Sequence, residues 1–128
     1  MAIRIVRLGS PRNPDEGLRI GTVRRPPRGV PKAEFATRDF YDVWFPDLSP
    51  TSALVQEALR ATSDKAWAAF TRKFRAEMKE GPASRALDLL AALSHQANLS
   101  VGCYCEDENH CHRSALRALL VERGAHVL

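Results

Sequence analysis

The chain has 128 residues, 45% of them hydrophobic and 27% charged, with a net charge of +4; this is globular composition and excludes wholesale disorder. Folding would reduce a surface of roughly 20,600 Å² to about 6,800 Å², so one domain over 1–128 can form a core without disulfide staples. No apolar run approaches the roughly 20 residues of a membrane span, and the charges within Met1–Arg7 are unlike a secretory leader, so a cytoplasmic protein with no membrane partner is expected.

The positive charge is concentrated at one end. Residues 1–38 hold nine Lys/Arg and three acids, a balance of +6, which leaves the other 90 residues at −2. Such an end can attract phosphates, nucleotides or nucleic acid, or can simply be a solvated basic face.

Taken in order, Ala2–Leu8 alternates apolar residues with arginines and reads as a half-exposed strand. Gly9–Gly17 is rich in turn formers, and Leu18–Val23 is a second strand. Pro26, Pro27, Gly29 and Pro31 impose an irregular segment, because proline fixes φ and removes a backbone donor. Tyr41–Phe45 is a short extended stretch that ends at Pro46. A helix follows through Thr51–Arg60, with Pro50 near its first turn. The next is capped by Ser63 or Asp64 and stops at Gly81-Pro82. Its Trp67, Phe70, Phe74 and Met78 recur at spacings of three and four, as a core-facing stripe does. A third helix, Pro82–Ala97, is expected to bury Ala86, Leu89, Leu90 and Leu93, with His95 as a surface residue near its end. Leu99–Cys105 reads as a mostly buried strand. Ser114–Arg123 reads as a helix burying Leu116, Leu119 and Leu120, and Ala125–Leu128 as a last strand.

All three cysteines fall within nine residues, Cys103-Tyr104-Cys105-Glu106-Asp107-Glu108-Asn109-His110-Cys111, with His112 and Arg113 next. Alternation along a strand would put Cys103 and Cys105 on one face and leave Cys111 near a helix start. Free amides there favour an anion or a thiolate, and Arg113 adds a guanidinium suited to phosphate or carboxylate. The three acids of the loop act the other way. Three readings follow. Cys103, Cys105, Cys111 and His110 or His112 would hold zinc or iron, since sulfur and imidazole suit both ions. Alternatively Cys105 or Cys111 is a nucleophile, with His112 or His110 as general base and Arg113 as anchor. The third is a buried, chemically inert group of thiols. The Cys-to-Arg spacings, eight from Cys105 and two from Cys111, do not match the five-residue phosphatase loop. A structural disulfide is not expected in a reducing compartment; Cys105–Cys111 would be the pair to form on oxidation.

Arg24-Arg25-Pro26-Pro27-Arg28-Gly29-Val30-Pro31-Lys32, Asp47-Leu48-Ser49-Pro50-Thr51, Trp67-Ala68-Ala69-Phe70 and Glu77-Met78 together resemble the YeaO-like bacterial proteins, domain-of-unknown-function family 488. The likeness spans nearly the whole chain, and its Cys-x-Cys…Cys-His-Arg run resembles one branch of that family. It implies a small α/β domain without an established activity. It also makes Arg28 and Lys32 candidates for an anion site, beside Arg113.

The expected fold is a single α/β domain over 1–128, with a central, mostly parallel sheet of four or five strands and about four helices in a flavodoxin-like or Rossmann-like layout. The expected partner is an anionic small molecule, such as a nucleotide, at the thiol-rich loop. The alternative is a nucleic-acid or protein-binding module built on the basic end, where Tyr41, Trp44 and Phe45 could stack bases. Exposed Trp44-Phe45 would also suit a homodimer.

Overall fold

Strand β4 (Leu99–Cys103) is buried at every position, as a strand flanked on both edges in a parallel sheet must be. The computed structural model describes all residues from Met1 to Leu128. It places β4 between β1 (Ile3–Arg7) and β2 (Leu18–Gly21), with β3 (Val43–Trp44) outermost, in the order β1-β4-β2-β3. All three pairings are parallel: Ile5 lies opposite Val101 and Arg7 opposite Cys103 on one side, Ile20 opposite Val101 on the other. The fold is therefore α/β, with a four-stranded parallel sheet consistent with a flavodoxin-like or Rossmann-like layout. The expected fifth strand contracts to one bridge, Val127 to Ile3, bracketed by hydrogen bonds from Ile3 N to His126 O and from Leu128 N to Ile3 O, each 2.9 Å.

Glycine is required within β4 itself. A Cβ at Gly102 would stand 2.5 Å from the Val6 carbonyl oxygen and 2.9 Å from side-chain atoms of Val6 and Leu8, too close for any larger residue to be accommodated without a shift of the backbone.

Four α-helices surround the sheet: α1 (Ser52–Arg60), α2 (Asp64–Met78), α3 (Gly81–Leu93) and α4 (His112–Glu122). Ser63 caps α2, its hydroxyl oxygen accepting from Ala66 N at 3.1 Å. The α2 stripe behaves as expected at three of its four positions, with Phe70, Phe74 and Met78 buried and Trp67 only half-buried. Burying such a side chain contributes about 1.5–3 kcal/mol. On α4, Leu116, Leu119 and Leu120 face the core.

Three expectations need correction. Helix α3 buries Ala83, Ala86, Leu87, Leu90 and Ala91, while Leu89 and Leu93 are exposed. Its inward face is thus rotated from the expected one. The helix also stops at Leu93 instead of Ala97, where the Ser94 hydroxyl donates to Ala91 O and accepts from His126 N, tying the helix end to the C-terminal segment. Finally, β4 ends at Cys103, so Cys105 lies beyond the strand and is exposed. Tyr104 turns out of the sheet, its hydroxyl donating to Arg25 O at 2.9 Å and its ring packing edge-on against Phe40.

The basic N-terminal third does not present one cationic face. Arg19 is fully buried, Arg12 pairs with Asp42 and Asp39, and Arg24 donates to the carbonyls of Pro46, Ser49 and Pro50. Arg25, Arg28, Lys32 and Arg38 are exposed and unpaired. No helix is long and apolar enough to cross a membrane.

Candidate functional site

Because all four strands run parallel, their carboxyl ends share one edge of the sheet, where α/β proteins usually place ligands. Cys103 closes β4 at that edge. Thr22–Arg25 leave it from β2, and the loop 104–111 returns to it at the start of α4.

That loop is closely braced. Asp107 accepts from Asn109 N at 2.9 Å and lies 3.0 Å from His110 Nδ1. Arg117 forks onto Glu108 at 2.7 and 3.1 Å, and these bonds hold the Glu108 carboxyl below its ordinary pKa against the opposing effect of burial. Arg113 is buried and donates through Nη2 to Cys105 O at 2.6 Å; its Nε has no partner and no carboxylate forms an ion pair with it.

The bracing returns Cys111 to Cys103. Both are buried within a small apolar cluster with Leu8, Val23 and Tyr41, and the structure joins their Sγ atoms as a disulfide, against the expectation that none would form. Their Cα atoms are nevertheless 7.9 Å apart, beyond the roughly 4.4–6.8 Å span usual for a disulfide. The converging pair is thus Cys103 and Cys111, not the expected Cys105–Cys111.

His112, first residue of α4, joins them. The ligand atoms of Cys103, Cys111 and His112 all lie within 4.8 Å of one another. His112 Nε2 is 2.7 Å from Thr22 O. A carbonyl can only accept, so Nε2 carries the hydrogen and Nδ1 presents its lone pair. Nδ1 sits 3.6 Å from Cys111 Sγ. Burial pushes the imidazole down to about 4, outweighing the raising effect of the Thr22 bond, with Arg113 adding to the decrease. The ring is therefore neutral near pH 7, and Phe74 holds it edge-on with ring centres 5.4 Å apart.

The other sulfur and imidazole stand apart from this trio. Although Cys105 is exposed as a residue, the chain packed around its sulfur withholds enough solvent to push the thiol above its ordinary value, against the lowering effects of Arg113 and Arg7. Cys105 is thus poorly suited to act as a thiolate at neutral pH. His110 is largely exposed, bound to Asp107, with its ring centre 5.6 Å from that of Trp67.

Both groups border one cavity of about 300 Å³, which also takes in Trp67, Val55 and Leu59 from α1 and α2. A wider groove of about 650 Å³ runs beside it between Arg25, Arg28, Phe40 and Tyr104. Arg25 and Tyr104 line both. Arg28, a candidate from sequence, thus flanks the groove; Lys32 lies exposed on the following 3₁₀ turn, Lys32–Glu34. The sequence points to Arg25 only as part of the basic end of the nucleic-acid alternative, not of the anion site, gives no sign of the Thr22 carbonyl, and assigns Trp67 to the core. Arg25 carried a partial signal as a member of the Arg24–Lys32 run; a backbone carbonyl carries none.

Residues 3–124 match the active DUF488-N3 subclade. The chain belongs to the DUF488 family. The expected family resemblance is therefore correct, over almost the full length of the chain. No curated protein and no solved structure matches it.

Proposed function

We propose that residues 1–128 form one cytoplasmic domain that binds an anionic small molecule with an aromatic ring, a nucleotide being the chemistry of best fit. The observation that carries this reading is the joining of an apolar cavity to a cationic groove through Arg25 and Tyr104. Ligand sites are typically concave and mainly apolar, with a few polar groups that fix orientation. Here Trp67 and His110 offer ring faces for the base, while Arg25 and Arg28 have guanidiniums free to take the phosphate in fork geometry. Lys32 adds charge on the segment leaving the groove. Arg113 contributes through the loop, because its buried charge lacks a carboxylate partner and raises the local positive potential. Cys111 and His112 border the cavity and would meet the bound molecule; Cys105 stands at its exposed side.

The test is titration of the reduced, metal-free chain with a panel of mononucleotides and sugar phosphates, followed by Trp fluorescence and calorimetry. Trp67→Phe separates the cavity signal from that of Trp44. One class of nucleotide should bind. Arg25→Ala with Arg28→Ala should weaken that binding roughly 10- to 100-fold, the worth of one charged hydrogen bond or slightly more. Failure of the whole panel to bind, or binding indifferent to the arginine pair, overturns the proposal. The nucleic-acid alternative has less to draw on, because Arg12, Arg19 and Arg24 are committed to contacts within the chain.

A further inference from the structure

We propose that Cys103, Cys111 and His112 form a three-ligand site for a thiophilic divalent cation, zinc in the first place, with its fourth position toward the cavity. This narrows the set expected from sequence: of the two candidate histidines His112 serves, and Cys105 is excluded.

Three observations support the assignment. The first is convergence. The residues come from the end of β4, the residue before α4 and the first residue of α4, yet their ligand atoms lie within 4.8 Å of one another. The Cα separation of 7.9 Å is wider than a disulfide usually spans, so the pair, once reduced, can part to hold a cation between its sulfurs.

The second is the orientation of the imidazole. Metal-bound histidines usually donate their other N–H to a carbonyl or carboxylate, which fixes the tautomer and aims the lone pair. Thr22 O performs this task for His112 at 2.7 Å. Nδ1 is left on the side of the sulfurs, 3.6 Å from Cys111.

The third is charge. The surrounding Leu8, Val23 and Tyr41 are buried and offer no counter-ion. Two thiolates and a neutral imidazole offset the charge of a dication, so the loaded centre adds no net charge to an apolar region. The unloaded centre would leave two thiols there, which is also tolerable. A dithiol reductant first opens the Cys103–Cys111 bond, itself becoming a disulfide; from the reduced pair, binding proceeds with loss of one proton from each thiol to solvent and no further change in oxidation state.

Three protein ligands and one open position is the pattern of catalytic zinc sites; structural sites close all four positions. All three residues border the cavity, so a bound molecule or water would complete the coordination there. The inference deepens the small-molecule reading without requiring it to be correct. Metal titration without nucleotide tests this site, and nucleotide titration of the metal-free chain tests the other.

The experiment uses the full chain, reduced and freed of metal by chelation, titrated with cobalt(II). Wild type should take up one equivalent, with sulfur-to-cobalt charge-transfer absorption, tetrahedral ligand-field bands and release of about two protons in weak buffer. Zinc should displace the cobalt. Cys103→Ser and Cys111→Ser should each lower the charge-transfer intensity and weaken binding by more than about 100-fold, since each removes a direct ligand. His112→Gln should weaken binding while leaving the thiolate absorption largely in place. Cys105→Ser and His110→Ala should titrate as wild type. Far-UV circular dichroism accompanies each variant, and the wild-type titration decides even if a variant fails to fold. The proposal is overturned if reduced wild type gives no thiolate–cobalt absorption, if Cys111→Ser binds normally, or if Cys105→Ser or His110→Ala abolishes binding.

Discussion

The buried pair of Arg19 and Glu16 gives the sharpest test of what holds the cavity-bearing edge to the rest of the sheet. Arg19 has no side-chain exposure and Glu16 has 1%. Arg19 Nε and Nη2 donate to the two Glu16 oxygens at 2.6 and 2.8 Å, and its Nη1 donates to the carbonyls of Ser10 and Asp39 at 2.9 and 2.7 Å. One guanidinium thus ties together the β1–β2 and β2–β3 connections. Ser100 of β4 also donates to Glu16, at 2.9 Å.

Glu16→Gln keeps the shape but leaves the guanidinium buried without its counter-charge, a change that costs about 3–5 kcal/mol. A domain of this length has a total of only about 6–19 kcal/mol. The melting temperature should therefore drop by roughly 10–20 °C. Arg19→Met should cost a similar amount at pH 7, and less at pH 5, where the stranded carboxyl can take up a proton. Glu16→Leu with Arg19→Met removes both charges and leaves the Ser10 carbonyl and the buried Ser100 hydroxyl without these partners, a cost of about 1–3 kcal/mol for each. The assay is urea unfolding followed by Trp fluorescence for wild type, both singles and the double. The reasoning is refuted if either single costs less than about 1 kcal/mol, or if the double costs the sum of the singles, because a coupled pair cannot behave additively.

Two further outcomes are expected of the same assay. For the metal-free chain, stability should fall as pH drops from about 6.5 toward 4, by on the order of 3 kcal/mol, because the unfolded imidazole of residue 112 takes up a proton that the buried ring refuses until about 4. Below that range a second decline should follow, since Glu16 and Asp42 have carboxyls that burial pushes up but hydrogen bonds from Arg19 and Arg12 hold below their ordinary values; their contribution is present above the unfolded carboxylate range and is lost as pH falls through the folded one. A pH profile flat from 7 to 4 would contradict the buried, neutral His112. Gly102→Ala should destabilise by about 1–3 kcal/mol through overpacking against the Val6 carbonyl, and an unchanged urea midpoint would show that β1 and β4 separate more easily than their close approach implies.

Much of this architecture is visible in the chain because the signals are local. The alternation of β1, the Ser63 cap and Phe70-Phe74-Met78 stripe of α2, and the leucines of α4 each follow from a period or a cap. Helix α3 is different. With leucines at 87, 89, 90 and 93, two overlapping stripes compete, and the choice falls to the partners, α4 and the 3₁₀ turn at Pro46–Leu48, which are distant in sequence. The buried Glu16–Arg19 pair was equally hidden, since charge next to a strand ordinarily signals exposure. At the site, the local sequence contains two histidines and three cysteines of similar standing. What separates His112 from His110 is a carbonyl 90 residues away, and what separates Cys103 from Cys105 is the residue at which the strand stops.

Strand order explains why the separation falls where it does. The last strand in sequence, β4, inserts between the first two, so Cys103 ends between Arg7 on one side and the Gly21–Thr22 backbone on the other. The exit of β2 therefore passes directly beside the start of α4. Thr22 N donates to Gly102 O at 3.0 Å, and Thr22 O then accepts from His112. A backbone ladder thus continues into the orientation of a side chain, at no cost in additional residues. The segment after Thr22 carries Arg24 and Arg25 in opposite roles: one is tied to carbonyls ahead of α1, the other is left free at the junction of cavity and groove. A net charge of +6 over 38 residues is consequently a poor guide to ligand charge. Among the guanidiniums left without a partner, Arg25 and Arg28 are the informative ones, because they line the groove and cavity that the sulfurs border.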